Sequence, residues 1–175
     1  FLDKGDKLFF ILIDNFRLDQ WEIVKDTTLE DFDCNENVYF SILPTATPYS
    51  RNSIFSGLMP AQISEIYPEM WVEETDEEGK NKLEEQLIRS HLQRTGRTKT
   101  FSYHKINNNR DGDKIIGKFH ELEKYDLNVI VYNFIDMVSH ARTESKMLRE
   151  LFPDEVSYRS LTRSWFLHSP LSSLL

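Results

Sequence analysis

The sequence predicts an α/β fold with a mainly parallel sheet, and two observations support this. Continuous apolar runs rich in β-forming residues recur along the chain, as is typical of strands buried on both faces. Between these runs lie longer segments with apolar residues at helical spacing. Strands that alternate with helices favour a parallel sheet, and the expected order is β-α-β-α-α-β-α-β-α-α.

The first half of the chain carries two of the predicted strands. Residues 8–13 form the apolar run Leu-Phe-Phe-Ile-Leu-Ile. Residues 38–43 form the run Val-Tyr-Phe-Ser-Ile-Leu, and Pro44 stops it because proline cannot donate to a strand ladder. A short helix is expected over residues 50–56, ended by Gly57.

The second half of the chain carries two more predicted strands, residues 99–104 and 126–136. The segments with apolar residues at helical spacing are 81–94, 114–124, 143–151 and 154–168. Residues 107–112 are rich in Asn, Asp and Gly, which predicts a turn. Residues 73–80 are acidic and are interpreted as a solvated loop, not as a ligand cluster.

Composition excludes some classes of function. The 175 residues carry a net charge of −8, which argues against wrapping duplex nucleic acid but allows an enzyme that handles phosphates through metal ions. The single cysteine, Cys34, excludes an intrachain disulfide and favours a reducing compartment. No apolar run is long enough to cross a bilayer. We therefore expect a cytoplasmic protein that does not bind a membrane.

Polar residues follow the predicted strands at their carboxyl ends, where open α/β sheets bind ligands. Asp14 follows the first strand, Thr45 and Thr47 follow the second, and Asp136 ends the fourth, with His140 four residues later. If the strands are parallel and adjacent, these side chains converge on one edge. Each of them alone has an ordinary alternative, such as a helix cap, a turn residue or a packed side chain.

Three of these positions lie in sequence patterns that suggest chemistry. Asp136 and His140 are spaced so that one helical turn presents both to a single metal ion, although this spacing is common. Thr47 precedes Pro48, which suits the first turn of a helix, and a helix N-terminus favours anions. A threonine hydroxyl bound to a metal ion there would lose its proton and become a nucleophile. Together these features suit phosphate-ester hydrolysis through a covalent phosphothreonine.

Four longer segments resemble a known family. The first, residues 13–21, reads Ile-Asp-Asn-Phe-Arg-Leu-Asp-Gln-Trp. The second, residues 43–60, contains Thr47, and the third, residues 129–142, contains the Asp–His pair. The fourth, residues 164–171, reads Ser-Trp-Phe-Leu-His-Ser-Pro-Leu. They resemble the PglZ domain of the alkaline phosphatase superfamily, and in particular the effector domain of PorX-type response regulators, which are linked to type IX secretion. The resemblance covers essentially the whole chain and implies a three-layer α/β/α, alkaline-phosphatase-like core.

The resemblance also implies roles for the candidate residues. Asp14 matches a ligand of the zinc ion nearest the nucleophile. Thr47 matches the nucleophile itself, which also binds that zinc, and Thr45 is its rival. Asp136 and His140 match two ligands of a second zinc ion. The implied cofactors are therefore two zinc ions.

The family also uses a later Asp-His pair and a further His. Neither is found in this sequence, in which no Asp is followed directly by His. His168 is expected to pack against the core instead. We therefore expect residues 1–175 to be the N-terminal part of a PglZ domain, with an Asp-His-Gly strand after Leu175 and a receiver domain upstream. On their own, these residues are expected to bind zinc partially or not at all and to be inactive or weak.

The implied function is zinc-dependent hydrolysis of oligonucleotide or nucleotide-type phosphodiesters, in a response regulator paired with a cognate histidine kinase. An alternative is a non-catalytic signalling module with a structural metal site that binds a sigma factor or a secretion component. A phosphomutase or phosphomonoesterase shares the same core and is a third, weaker interpretation. A homodimer is compatible with each of these.

Overall fold

The computed structural model describes residues 2–28, 32–71 and 83–175. The chain forms two compact units, Phe1–Asn35 with Thr100–Leu175 and Glu36–Lys99. The strands are β1 (Leu8–Ile13), β2 (Phe101–Ile106) and β3 (Leu127–Tyr132). The helices within the described residues are α1 (Leu18–Trp21), α2 (Lys25–Thr28), α3 (Thr47–Ser56), α4 (Pro60–Ile66), α5 (Glu84–Arg94), α6 (Asn109–Ile116), α7 (Phe119–Leu122), α8 (Phe134–Glu144), α9 (Lys146–Leu151), α10 (Glu155–His168) and α11 (Pro170–Leu174).

The first unit is built on a three-stranded sheet in the order β1-β3-β2, and both pairings are parallel. Tyr132 at the end of β3 is in register with Ile13 on one side and with Ile106 on the other, so all three strands end at one level. This confirms the predicted α/β fold class with a parallel sheet.

The central strand β3 is buried along its whole length. Val129 and Val131 point to one face and Ile130 to the other, and each is at most 2% exposed. A strand buried on both faces requires apolar residues at every position, which is why the run is continuous and does not alternate.

One face of the sheet carries a hydrophobic core cluster of the first unit. Ile130 and Tyr132 pack there with Trp165 and Phe166 of α10. The indole of Trp165 stacks on the ring of Phe134, with 4.9 Å between the ring centroids. Burial of each such large side chain stabilises the fold by about 1.5–3 kcal/mol, so this cluster fixes α10 on the sheet.

The second unit is helical within its described residues. Helix α3 packs against α4 and α5, and it ends at Gly57, whose left-handed φ of 64° ends the helix. A Cβ at Gly57 would lie 2.6 Å from Cε1 of His91, so glycine also allows α5 to approach closely. The ring nitrogen Nδ1 of His91 lies 3.1 Å from the carbonyl oxygen of Phe55 and joins the two helices.

The predicted strand over residues 38–43 is wrong. These residues form no strand, and Phe40 is 99% exposed and Leu43 is 87% exposed. A short apolar run cannot be identified as a strand by composition alone, because a strand also needs a partner for its backbone groups.

The predicted turn over residues 107–112 is also wrong in part. Helix α6 begins at Asn109, and the side chain of Asn108 accepts a hydrogen bond from the backbone N–H of Asp111 at 3.1 Å. Asparagine is frequent both in turns and at helix N-caps, since its short side chain bonds nearby backbone groups in either setting. The polar cluster here caps a helix.

The strand predicted over 126–136 is right only up to Tyr132, because α8 begins at Phe134. The other predicted elements hold with shifted boundaries. The helix predicted over 50–56 begins at Thr47, and the strand predicted over 99–104 is β2. The helical segments correspond to α5, to α6 with α7, to the end of α8 with α9, and to α10. The acidic loop predicted at 73–80 lies outside the described residues. No helix within the described ranges is long and apolar enough to span a membrane.

Candidate functional site

Asp14 lies directly after β1, at the level where the three strands end. Its backbone N–H donates to the carbonyl oxygen of Tyr132 at 2.9 Å, which extends the β1–β3 ladder by one residue. The next residue, Asn15, has a left-handed φ of 56°, a conformation that asparagine tolerates better than most residues. The half-buried Asp14 is therefore held at the carboxyl edge of the sheet by backbone bonds.

Side-chain hydrogen bonding joins the ends of the other two strands. Asn133 follows β3, and its side-chain amide donates to Oδ1 of Asn107, which follows β2, at 2.7 Å. The buried Tyr132 just before this point has its pKa raised by burial to about 12, so its hydroxyl stays protonated at neutral pH. The carboxyl edge is thus a row of Asp14, Asn133 and Asn107.

Asp136 and His140 lie on α8. Asp136 is the third residue of that helix, so the prediction that it ends a strand is wrong. The strand β3 ends four residues earlier, at Tyr132. The predicted proximity is present, since Nε2 of His140 lies 3.6 Å from Oδ1 of Asp136. The Asp136 side chain is 28% exposed and that of His140 is 72% exposed, so both are open to a ligand.

The donor types and spacing of this pair fit two positions on a zinc ion. Tetrahedral zinc with its usual bond lengths places neighbouring N and O donors about 3.3 Å apart, close to the separation found here. A zinc site needs at least three protein ligands, and among residues 2–28, 32–71 and 83–175 no group of three His, Cys, Asp or Glu side chains is placed to hold a metal. Asp136 and His140 therefore supply a partial ligand set.

Thr47 is the first residue of α3, in the second unit. Ala46 occupies the N-cap position and Pro48 lies in the first turn, so Thr47 is not the cap. The hydroxyl of Ser50 donates to the carbonyls of Thr45 at 3.0 Å and Ala46 at 3.2 Å, which fixes the chain just before Thr47. Thr47 is half-buried at the positive end of the α3 dipole, where an anion is favoured.

A buried ion pair that sequence reasoning missed fixes α3 against α5. Arg51, one turn after Thr47, is 2% exposed, and Glu84 at the start of α5 is fully buried. Nε and Nη2 of Arg51 donate to the two carboxylate oxygens of Glu84 at 2.7 and 2.8 Å. This bidentate geometry is the strong form of the interaction and sets the rotation of α3 about its axis.

The family comparison agrees with this architecture. The chain matches the family model of the BREX system PglZ alkaline phosphatase-like domain over residues 1–173. The chain belongs to the PglZ family. None of the curated proteins compared with it matches. The PglZ domain is part of a hydrolase-like superfamily that is typically metal-dependent, and its α/β fold agrees with the parallel sheet.

In this PglZ domain the predicted site residues fall into two places. Asp14, Asp136 and His140 lie in the first unit, beyond the carboxyl ends of β1 and β3, while Thr47 lies in the second. His168 is exposed at the end of α10, with Nδ1 2.8 Å from the carbonyl oxygen of Ser164, so the expected packing against the core is wrong.

Proposed function

We propose that this PglZ domain is a zinc-dependent phosphodiesterase, with Thr47 as the nucleophile and with Asp14, Asp136 and His140 as zinc ligands. The observation that carries the proposal is the Asp136–His140 pair, whose carboxylate oxygen and imidazole nitrogen lie 3.6 Å apart beyond the end of a parallel strand. Ligands of open α/β sheets bind at this edge. Membership of a hydrolase-like superfamily supports the same reaction class.

Each residue has a role that its position supports. Zinc bound at these ligands would polarise the phosphate ester and lower the pKa of a bound hydroxyl. The N-terminus of α3 favours the anionic ester near Thr47. The Thr47 oxygen attacks phosphorus and displaces one alcohol, which leaves with the hydroxyl proton, so that the second ester group stays on a phosphodiester linked to Thr47. Water then hydrolyses the bond to Thr47, which regenerates the hydroxyl and releases a phosphomonoester.

The proposed substrates are oligonucleotide or nucleotide-type phosphodiesters. A net charge of −8 gives no overall attraction for a long polyanion, so short substrates fit this chain better than duplex nucleic acid. The resemblance to PorX-type response regulators supports a wider role as a cytoplasmic effector domain that regulates type IX secretion, under a receiver domain and its histidine kinase.

A second candidate is a signalling module in which the metal stabilises the fold. Among the described residues the Asp136–His140 pair falls short of the three protein ligands of a catalytic zinc site, which favours a non-catalytic role, while a structural zinc would need four ligands. In that role the domain would bind a sigma factor or a secretion component, as a monomer or a homodimer.

Metal analysis and a diester assay on the intact protein test the first proposal. We expect bound zinc and hydrolysis of bis(p-nitrophenyl) phosphate and of a dinucleotide. Thr47→Ala should lower kcat at least about a thousand-fold, as removal of a nucleophile does. Asp136→Ala and His140→Ala should each lower the zinc content.

The matched control is Thr45→Ala, which should leave turnover unchanged; loss of turnover there, with Thr47→Ala unaffected, would make Thr45 the nucleophile. Absence of both zinc and hydrolysis would contradict the enzyme. If Thr47→Ala leaves signalling intact while Asp14→Ala and His140→Ala unfold the domain, the second candidate is supported. Faster turnover of monoesters than of diesters would indicate a phosphomonoesterase.

A further inference from the structure

Helix α10 binds the segment that follows Asp14. The side chain of Gln20 is fully buried and accepts a hydrogen bond from the backbone N–H of Arg17 at 3.0 Å. Its amide group also donates a hydrogen bond to Oγ1 of Thr162 on α10 at 2.8 Å. Arg159, on the same helix, pairs with Asp19 at 3.1 Å. These bonds fix the turn between β1 and α1 on the side of α10.

The same helix also binds α8. The buried hydroxyl of Tyr158 donates at 3.3 Å to the carbonyl of Ile135, the residue just before Asp136. The guanidinium group of Arg142, further along α8, lies 5.0 Å from the centre of the Tyr158 ring. Helix α10 therefore holds α8 on both sides of the stretch that carries Asp136 and His140.

Glu155, the first residue of α10, joins the two sets of contacts. Its Oε2 lies 2.5 Å from Nη2 of Arg17, and its Oε1 lies 3.0 Å from Nη1 of Arg142. The guanidinium of Arg17 also lies over the ring of Tyr158, 5.7 Å from its centre. The hydrogen bonds from the two arginines hold the pKa of Glu155 below its ordinary value, so it is ionised at neutral pH.

We propose that Glu155 and Tyr158 are positioning residues that set the separation between Asp14 and the Asp136–His140 pair. The proposal rests on the proposed function, since it takes these three residues as zinc ligands. The strand register fixes the backbone of Asp14, whereas α8 leaves β3 through a single residue, Asn133. The tilt of α8 therefore depends on the contacts that it makes with α10.

This arrangement differs from an ordinary stabilising contact. The Glu155 side chain is 51% exposed, and ion pairs as exposed as this contribute little to global stability. Its two partners lie 138 and 13 residues away in the chain, on the two elements that carry the proposed ligands. The expected effect is therefore on local order and ligand geometry, with little change in the melting temperature.

The test compares Glu155→Gln and Tyr158→Phe with Glu150→Gln in the intact protein. Glu150 lies on α9 and, within the part of the chain that the structure describes, forms an exposed ion pair with Lys146 at 3.8 Å, so its variant is a matched control. In metal-free protein, we expect amide hydrogen exchange at residues 15–20 and 134–142 to become about tenfold faster in Glu155→Gln, with β3 unchanged. Zinc affinity, titrated against a competing chelator, should fall about tenfold in both test variants, the size typical of residues that orient metal ligands.

Three results would overturn the proposal. They are unchanged exchange in the two segments, unchanged zinc affinity, or a uniform rise in exchange that includes β3 together with a lower melting temperature, which indicates a merely structural role. If the wild-type protein takes up no zinc, the proposed function fails. The exchange measurement then still decides the positioning of the two segments, since faster exchange in Glu155→Gln supports it and unchanged exchange contradicts it.

Discussion

The two compact units hold their proposed functional residues by different means. In the first unit, Asp14 is held by backbone hydrogen bonds at the end of a parallel sheet. In the second, Thr47 begins a helix that side-chain contacts join to α5, among them the buried pair of Arg51 and Glu84. A backbone ladder survives most side-chain changes, whereas a buried ion pair between two helices is lost when either side chain is replaced. The second unit should therefore be the more sensitive to one polar substitution.

The largest expected effect is that of Glu84→Gln. It leaves the buried guanidinium of Arg51 without its counter-charge, and breaking a buried pair in this way costs about 3–5 kcal/mol of stability. Urea unfolding measures this loss of unfolding free energy, and a separate hydrogen-exchange experiment measures the loss of order in α3. Glu85→Gln, which removes an exposed pair with Arg89, is the control and should cost at most about 0.5 kcal/mol. Equal losses in the two variants would show that the buried pair of the second unit contributes no more to stability than an exposed one.

The same pair offers a sharper version of this experiment. The double variant Arg51→Met with Glu84→Leu removes both charges and keeps apolar volume. Replacing a buried ion pair by apolar side chains is often neutral or stabilising, so this variant should recover most of the stability lost in Glu84→Gln. A double variant as unstable as the single one would show that the charges stabilise α3 on their own.

In the first unit, the most damaging change should be a cavity in the sheet. Ile130 is fully buried at the centre of β3, and Ile130→Ala is expected to cost about 2–5 kcal/mol because it leaves a void in the core cluster. Thermal unfolding with near-ultraviolet circular dichroism of the Trp165 region measures it. A loss below about 1 kcal/mol would show that the sheet is not the main source of order in this unit.

A smaller effect is expected where the second unit uses a glycine. Gly57→Ala places a Cβ 2.6 Å from the ring of His91 and keeps a left-handed φ of 64°, so it should cost more than about 1–2 kcal/mol. Gly96 has a similar φ of 69° with nothing within 4 Å of its Cβ position. The difference between Gly57→Ala and Gly96→Ala, measured by urea unfolding, therefore isolates the contact between α3 and α5. Equal losses of unfolding free energy in the two variants would show that the His91 side chain moves away from the added methyl group at no cost.

The smallest effect concerns pH. Because Arg17 and Arg142 lower the pKa of Glu155 in the folded protein, its contribution is present above its ordinary value of 4.5 and is lost as the pH falls through the lowered value. The difference in unfolding free energy between wild type and Glu155→Gln should therefore be constant from pH 7 to 5 and should shrink below pH 4.5. A difference that does not change with pH would contradict an electrostatic role for Glu155.

Much of the first unit could be predicted from local sequence. The strand at residues 127–132 was predictable because burial on both faces leaves a continuous apolar run. The approach of Asp136 to His140 was predictable because it depends only on helical spacing. Residues 38–43 have the same apolar character yet form no strand, since strand formation depends on a pairing partner that the run does not specify.

The contacts that orient the site could not be predicted in this way. Arg51 and Glu84 are 33 residues apart, and Arg17 and Glu155 are 138 residues apart. A charged residue on a predicted helix is most often solvated, so nothing local distinguishes Glu84, which is buried, from its neighbour Glu85, which is exposed. Such pairs become visible only when the packing of the helices is known.

Because the three strands end at a common level, the length of a strand determines where the residue that follows it lies and to which face it points. Each residue of a strand advances the chain by about 3.3 Å and turns the next side chain to the opposite face. One residue inserted into β1 would carry Asp14 past the end of β3 and reverse its direction, even if every apolar residue were kept. In this chain the six-residue length of β1 is therefore as much a specification of the site as the aspartate that follows it.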